Sequence, residues 1–223
     1  MALAVLDHHQ LNGRRALLVS CEDAPELLAT RLLCRRANLP GAPARDGTLS
    51  QGHLDRATQE VIRAAERGPA PVLIDGRGRN CEHLAGDIRA AARAHGIGLV
   101  LVDYLQCITT ERETQDRRAE INHIARTLTD AIKTSGCAGI LLSQLTGEDI
   151  RESRDVEHAA EVVLIGRKGE SNGELSLFVK KNKCGPKDQV VSLDWEPLNG
   201  SFRTAVTFEC DDFDRYQGVD YES

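Results

Sequence analysis

The sequence predicts an α/β fold, in which a mostly parallel sheet is flanked by helices and antiparallel strands follow at the C-terminal edge. Short apolar runs rich in Leu, Val and Ile occur at residues 15–20, 71–75, 98–103, 138–143 and 161–166. Continuous apolar runs of this length are typical of strands buried on both faces of a sheet. Helical patterns separate these runs, at residues 23–36, 51–67, 82–95 and 116–135. The alternation of the two patterns predicts a doubly wound sheet.

The first of these helices carries a recognisable start signal. Asp23 is followed three residues later by Glu26, which is the spacing of a capping box, and Pro25 falls in the first turn, where its missing N–H is harmless. We therefore expect Asp23 to cap this helix.

The C-terminal part has a different pattern. Strand-like stretches at residues 174–180, 189–194 and 201–208 are separated by turn residues at Asn172-Gly173, Gly185-Pro186 and Asn199-Gly200. This pattern is typical of antiparallel strands. Residues 209–223 hold six acids and one Arg, which accounts for most of the net charge of −6. We predict a domain over residues 1–206 and an acidic, mobile tail over residues 207–223.

Composition excludes several classes of protein. The 223 residues have ordinary globular composition, and no apolar run approaches the roughly 20 residues that span a bilayer. The seven cysteines are odd in number and form no Cys-x-x-Cys pair, so neither a disulfide framework nor a zinc ribbon is indicated. A soluble, cytoplasmic protein is predicted. The charge, apart from the acidic end, neither supports nor excludes a DNA partner.

Polar residues at the ends of the predicted strands are the candidates for chemistry, because ligands of open α/β sheets bind beyond the carboxyl ends of the strands. They are Glu22, Asp75, Asp103 and the pair Ser143-Gln144. Residues 99–103, four apolar residues and an acid, have the form of a Walker B segment, whose carboxylate holds Mg²⁺ directly or through water. The alternative is that Asp75 and Asp103 only start turns or cap helices.

Several strings occur in a characteristic order: VDYLQ at 102–106, LLSQL at 141–145, DIRES at 149–153, EHAAEVVLIGRK at 157–168 and KKNKCGP at 180–186. With these, most of residues 15–206 resembles the RecA-like C-terminal ATPase domain of DnaB-type replicative DNA helicases. Residues 17–33 resemble the family segment with the catalytic glutamate, and residues 116–128 the helix that follows Walker B. The resemblance implies a RecA-like sheet of the P-loop NTPase type.

The resemblance also implies roles for individual residues. Glu22 would polarise the water that attacks the γ-phosphate of ATP, Asp103 would support Mg²⁺, and Gln144 would sense the γ-phosphate. The alternatives are that Glu22 is only a first-turn acid beside Asp23, that Asp103 is a turn residue, and that the Gln144 side chain only makes hydrogen bonds within its own turn.

Lys181 and Lys183 match a basic pair that reaches into the nucleotide of the neighbouring subunit. The family usually has an arginine finger at the second position, and lysine offers no bidentate fork. A solvated basic strand end is the alternative.

Arg151, Glu152 and Ser153 match the family segment that contacts single-stranded DNA. Such contacts to phosphates are independent of base sequence and sensitive to salt. The chain departs from the family here, because only Thr146, Gly147 and Glu148 stand where the family has a longer, basic loop. An ordinary loop salt bridge is therefore the alternative for Arg151.

The largest departure concerns the P-loop, Gly-x-x-x-x-Gly-Lys-Ser/Thr, which is absent from the sequence. Residues 2–10 resemble the remainder of the helix that follows this motif in the family. A trimmed start, a split gene whose upstream fragment carries the P-loop, and a degenerate paralogue are the possible origins. We therefore predict that the chain alone binds ATP poorly and hydrolyses it slowly.

The resemblance thus implies an ATP- and Mg²⁺-dependent DNA helicase domain that works in a homo-hexameric ring and moves along single-stranded DNA in replication. The alternative is a non-catalytic RecA-fold remnant or paralogue that binds a partner subunit or DNA without turnover.

Overall fold

Each of two units of the chain, residues 1–156 and residues 157–223, has its own sheet. The computed structural model describes residues 2–112, 116–144, 157, 160–169, 174–196 and 201–208. No helix in these ranges is both long enough and apolar enough to cross a membrane.

The sheet of the first unit is parallel throughout, as predicted. Its strands are β1 (Ala16–Ser20), β2 (Val72–Asp75), β3 (Leu99–Asp103) and β4 (Ala138–Leu141), in the order β2-β1-β3-β4. Every residue of β1 is buried, and so are the first four residues of β3. The inner strands therefore have the two-sided burial that their continuous apolar runs indicate.

Helices flank this sheet: α1 (Ala2–Leu11), α2 (Pro25–Ala37), α3 (Gly41–Arg45), α4 (Gln51–Arg67), α5 (Cys81–His95) and α6 (Arg117–Thr134), with a short 3₁₀ turn at Leu105–Cys107. Three of them have side-chain N-caps. The side chains of Ser50, Asn80 and Asp116 accept hydrogen bonds from the backbone N–H three residues later. The helix predictions at residues 23–36, 51–67, 82–95 and 116–135 are confirmed to within two residues at each end. Helix α1 matches the helix that the resemblance implies at residues 2–10, whereas α3 was not predicted.

The predicted cap of α2 is wrong. Ala24, not Asp23, is the N-cap residue, no side-chain hydrogen bond caps the helix, and Pro25 opens it. Asp23 instead forms an ion pair with Arg31, and its backbone oxygen accepts a hydrogen bond from Ser20 Oγ at 2.7 Å. The carboxylate that would have capped the helix is therefore used one turn further along it.

The core of this unit lies on both faces of the sheet. Leu17, Val19, Val100 and Val102 pack with buried residues of α5 and α6. The alternate strand residues, among them Leu18 and Leu101, pack with residues of α1 and α2 on the other face. This division follows from the period of two along a strand, and it gives a parallel sheet covered by helices on both faces, as the sequence predicts.

The second unit has an antiparallel sheet with the order β5-β6-β7-β8. Its strands are β5 (Val162–Lys168), β6 (Glu174–Asn182), β7 (Val190–Glu196) and β8 (Ser201–Phe208). The antiparallel strands of the C-terminal part are thus confirmed, and they form a sheet separate from the parallel one. The fifth apolar run differs from expectation, because β5 pairs antiparallel with β6. Exposed and half-buried residues alternate along β5, an alternation that the run of apolar letters conceals.

The predicted turns between the C-terminal strands, and the predicted tail, lie only partly within the described residues. The turn at Gly185-Pro186 does lie between β6 and β7, whereas those at Asn172-Gly173 and Asn199-Gly200 lie outside the described ranges. Strand β8 includes residues 207 and 208, which were predicted to belong to the tail. The rest of the predicted tail, residues 209–223, lies outside the described ranges.

Candidate active site

The carboxyl ends of the parallel strands place the predicted polar residues along one edge of the sheet. Ser20 is in register with both Asp75 and Asp103, and Val102 with Leu141. The backbone continues these pairings past the strand ends. Cys21 N–H donates to the backbone carbonyl oxygen of Asp103 at 2.7 Å, and Leu142 N–H donates to that of Val102 at 3.0 Å. Residues 75 and 103 therefore end their strands at this edge, and residues 22 and 143–144 lie just after the ends of β1 and β4.

Glu22 and Asp103 form the acidic centre of this edge. Glu22 is exposed in the bend after β1, whereas Asp103 is half-buried at the end of β3. Burial raises the pKa of Asp103, and the negative charges of Asp23 and Glu22 raise it further. A divalent cation would relieve both effects, and carboxylate oxygens are ligands that Mg²⁺ accepts. The donor set around Asp103 therefore fits Mg²⁺.

Asp75 has a different environment on the edge strand β2. Its carboxylate accepts hydrogen bonds from Arg77 Nε at 2.8 Å, Arg77 Nη2 at 2.6 Å and the Arg77 backbone N–H at 3.1 Å. The side-chain bonds from Arg77 lower the pKa of Asp75 to about 2. This geometry supports the turn interpretation of Asp75.

Gln144 follows β4 and is held by a residue to which the sequence interpretation gave no role. The backbone N–H of Gln144 donates to Gln106 Oε1 at 3.1 Å, and Gln106 Nε2 donates to the Gln144 oxygen at 3.0 Å and to Ser143 Oγ at 2.9 Å. Gln106 lies in the 3₁₀ turn just after β3. Its place in the string VDYLQ, three residues after Asp103, was the available signal.

The two lysines belong to the second unit. Lys181 Nζ donates to the backbone oxygen of Glu157 at 2.7 Å, and Lys183 Nζ pairs with Glu161 Oε1 at 2.9 Å. A register shift in the pairing of β5 with β6 leaves Lys180 without a cross-strand partner in that register, and Lys180 pairs with the carboxylate of Glu157. The basic strand end is thus folded onto acids of its own unit.

Two features of the family remain: the segment that contacts DNA and the phosphate-binding loop. Arg151, Glu152 and Ser153 lie outside the described residues. The phosphate-binding string Gly-x-x-x-x-Gly-Lys-Ser/Thr occurs nowhere in the 223 residues. The residues present thus fit Mg²⁺ but supply no P-loop cradle for the phosphates of a nucleotide.

Comparison with known families gives the decisive observation. The family model described as the DnaB-like helicase C terminal domain matches residues 1–204. The chain belongs to this family. The DnaB-type, RecA-like assignment made from the sequence is thereby confirmed.

Curated relatives of this DnaB-like domain are replicative helicases. The chain is 25% identical over 190 residues to the replicative DNA helicase DnaC of Bacillus subtilis, which covers 76% of this chain and 41% of that protein. It is 28% identical over 198 residues to the replicative DNA helicase DnaB of Mycobacterium leprae, covering 78% of this chain and 32% of that protein. The chain thus spans less than half the length of these relatives.

Solved structures support the fold of the DnaB-like domain. An ATPase domain aligns with a TM-score of 0.80 at 20% identity, covering 92% of this chain and 79% of that one. A second solved structure is that of a DnaB-like replicative helicase, studied with its interactions with primase. It aligns with a TM-score of 0.77 at 19% identity, covering 90% of this chain and 53% of that one. These likenesses extend over both units of the chain.

Proposed function

We propose that this chain is the motor domain of a DnaB-type DNA helicase, which couples ATP hydrolysis to movement along single-stranded DNA in replication. The supporting observation is the convergence of Glu22, Asp103 and Gln144 on one sheet edge in a domain that matches the helicase family. By analogy with that family, the working form is a homo-hexameric ring.

Each residue at the edge has a role that its environment supports. The exposed Glu22 carboxylate would orient a water molecule and accept its proton, and Asp103 would hold Mg²⁺ directly or through water. When bound, Mg²⁺ neutralises negative charge on the nucleotide phosphates. Gln106 fixes the backbone of Gln144 at the same edge, and the side-chain amide of Gln144 would bind the γ-phosphate there. Loss of a phosphate near Gln144 would then be transmitted to the chain that follows β4.

The phosphate-binding loop, we infer, comes from a segment outside these 223 residues. Strand β4 ends the parallel sheet among the described residues, and Ala138, Gly139 and Ile140 are exposed along it. An exposed strand edge of this kind accepts a further strand through backbone hydrogen bonds. A strand followed by a P-loop would add the missing cradle beside Gln144.

Lys181 and Lys183 act, in this proposal, on the nucleotide of a neighbouring subunit. Both contact their own unit in the isolated chain, so each must exchange a partner on ring assembly. The Lys183–Glu161 pair has side chains that are 48% and 58% exposed, and exposed pairs contribute about 0–1 kcal/mol. That exchange therefore costs little. Arg151, Glu152 and Ser153 are the proposed contacts to DNA phosphates.

The test is a version of the chain extended at its N-terminus with the strand and P-loop of a replicative relative. We expect the extended protein to hydrolyse ATP and the 223-residue chain to show neither hydrolysis nor nucleotide-dependent thermal stabilisation. Glu22→Gln in the extended protein should lower the ATPase rate by at least about 100-fold, the usual loss on removing a general base. Glu26→Gln, an exposed acid in the first turn of α2, is the matched control and should leave the rate unchanged.

The absent P-loop string favours a second candidate, a RecA-fold remnant that binds a partner subunit or DNA without turnover. It would replace the motor proposal if the extended protein bound ATP without hydrolysing it. An ATPase rate of the 223-residue chain that Glu22→Gln abolished would support the motor while refuting the need for an added loop.

A further inference from the structure

Three potential metal ligands meet on the face of the parallel sheet that α5 and α6 cover. Cys81 Sγ, a carboxylate oxygen of Glu82 and a ring nitrogen of His123 all lie within 4.8 Å of one another. The Cys81 side chain is buried, whereas the side chains of Glu82 and His123 are 32% and 27% exposed. The cluster thus has a closed side formed by the core and an open side toward solvent.

The fold brings these residues together from distant parts of the chain. Cys81 and Glu82 open α5, where Asn80 is the N-cap, and His123 lies in α6. The two helices pack side by side over the sheet. The segment after β3 lies against the group, because Cys81 N–H donates to the backbone carbonyl oxygen of Thr109 at 2.9 Å.

We propose that Cys81, Glu82 and His123 bind Zn²⁺, with solvent as the fourth ligand on the open side. Thiolate, imidazole and carboxylate are the ligands of protein zinc sites, and three of them with a water complete a tetrahedron. The sulfur and nitrogen donors favour Zn²⁺ over Mg²⁺. This site therefore differs in metal preference from the carboxylates at the strand ends, and it does not depend on the proposed function.

Neighbouring residues already hold Glu82 in place. Thr110 Oγ1 donates to Glu82 Oε1 at 2.6 Å and the Glu111 N–H to Glu82 Oε2 at 3.3 Å. Burial opposes ionisation of Glu82, but hydrogen bonds from Thr110, from its own backbone N–H, and from Cys81 and His123 prevail and lower its pKa to about 2. Glu82 is therefore an oriented carboxylate, supported by outer contacts like those that orient ligands in known metal sites.

Metal binding requires two local changes. Burial raises the pKa of the Cys81 thiol to about 11, so the thiol must release its proton to solvent as the Zn–S bond forms. His123 Nε2 lies 3.2 Å from Glu82 Oε1, and this contact gives way to two separate bonds to the metal. Ligand atoms of a tetrahedral zinc site are about 3.5 Å apart. Because all three atoms lie within 4.8 Å of one another, no pair has to approach by more than roughly 1.3 Å to reach that spacing.

The test uses the purified 223-residue chain after treatment with a chelator. Zn²⁺ is titrated in competition with a chromophoric chelator, and Co²⁺ is added separately to report thiolate coordination by its charge-transfer absorption. We expect one equivalent of Zn²⁺ bound with micromolar affinity or better, and a thiolate-to-cobalt band. Cys81→Ser, Glu82→Gln and His123→Gln should each weaken Zn²⁺ binding more than about tenfold, and Cys81→Ser should remove the band.

Two matched variants test specificity. Cys34→Ser alters another buried thiol, and His83→Gln alters an exposed imidazole on α5 itself. Both should bind Zn²⁺ like the parent chain. The proposal is overturned if the parent chain binds no Zn²⁺ at micromolar concentration, if the cobalt band survives Cys81→Ser, or if the control variants weaken binding as much. Circular dichroism of each variant identifies a loss due to unfolding, and Glu82→Gln and His123→Gln then decide the question.

Discussion

A buried ion-pair network fixes α1 against α2 and gives a test of the first unit. Arg36 Nε donates to Asp7 Oδ1 at 2.6 Å, and Arg36 Nη2 donates to Gln10 Oε1 at 2.6 Å. Arg35 Nε also reaches Asp7 Oδ2, at 3.4 Å. The side chains of Asp7 and Arg36 are only 11% and 12% exposed. Removing Asp7 would therefore leave a guanidinium largely withdrawn from water.

The expected cost of Asp7→Ala is about 3 kcal/mol in the free energy of unfolding of the first unit. Breaking a fully buried pair costs about 3–5 kcal/mol, and the residual exposure of these side chains places this one at the lower end. Because each single variant breaks the same Asp7–Arg36 pair, the double variant Asp7→Ala/Arg36→Ala should cost less than the sum of the single variants. A coupling energy of about 1–3 kcal/mol is expected.

Two spectroscopic probes separate the units during urea unfolding. All helices of more than one turn in the described residues lie in the first unit, so far-ultraviolet circular dichroism follows that unit. Trp195, the one tryptophan of the chain, lies in β7 and reports on the second unit. Asp7→Ala should shift the first transition and leave the second in place. Arg45→Ala is the control, because its pair with Asp46 is largely exposed and should contribute less than about 0.5 kcal/mol.

A change below about 0.5 kcal/mol for Asp7→Ala would show that the pair behaves as a surface pair, and it would refute the buried-network reasoning. Equal shifts of both probes would refute the assignment of its effect to the first unit.

The remaining predictions concern the sheet edge and use matched pairs of variants. Gly76→Ala should destabilise the first unit by about 1–3 kcal/mol in urea unfolding. A Cβ at residue 76 would lie 2.9 Å from Cys21 Sγ and 3.2 Å from the backbone oxygen of Ser20. The control Gly86→Ala, where α5 has open space for a Cβ, should stabilise the unit by up to about 1 kcal/mol. Equal effects of the two would contradict the close approach at residue 76. Gln106→Ala should speed hydrogen exchange of the backbone N–H of Gln144, which loses its acceptor. The control Gln51→Ala, on α4, should leave that exchange unchanged. Unchanged exchange in Gln106→Ala would show that Gln106 does not hold the backbone at Gln144.

The parallel sheet could be predicted because its signal is local. Runs such as residues 15–20 and 98–103 are continuously apolar, and only strands covered on both faces require this. The run at 161–166 has the same appearance but lies in a sheet with alternating burial, since its exposed positions are also occupied by apolar residues. Composition alone therefore cannot distinguish a covered strand from one with an exposed apolar face.

The candidate site was predictable where strand order brings residues together and not where side chains choose partners. Glu22 and Asp103 follow paired strands, so their proximity follows from a parallel sheet. The contacts of Gln106 with Ser143 and Gln144 span 37 and 38 residues and have no periodic signal. His123 likewise meets Glu82 across 41 residues only because α5 and α6 pack side by side.

Asp75 and Asp103 show how position in the sheet gives similar sequences different chemistry. Each ends a short apolar strand at the same edge, and each is in register with Ser20. Strand β2 is at the end of the sheet order, so Asp75 is exposed and Arg77 lowers its pKa to about 2. Strand β3 lies between β1 and β4, so burial and neighbouring carboxylates raise the pKa of Asp103 instead. A cation bound at this edge would therefore be stabilised more by Asp103, whose charge no arginine in its own turn neutralises. Strand order sets the different burial of the two aspartates, and the ion pair with Arg77 adds to the difference at Asp75.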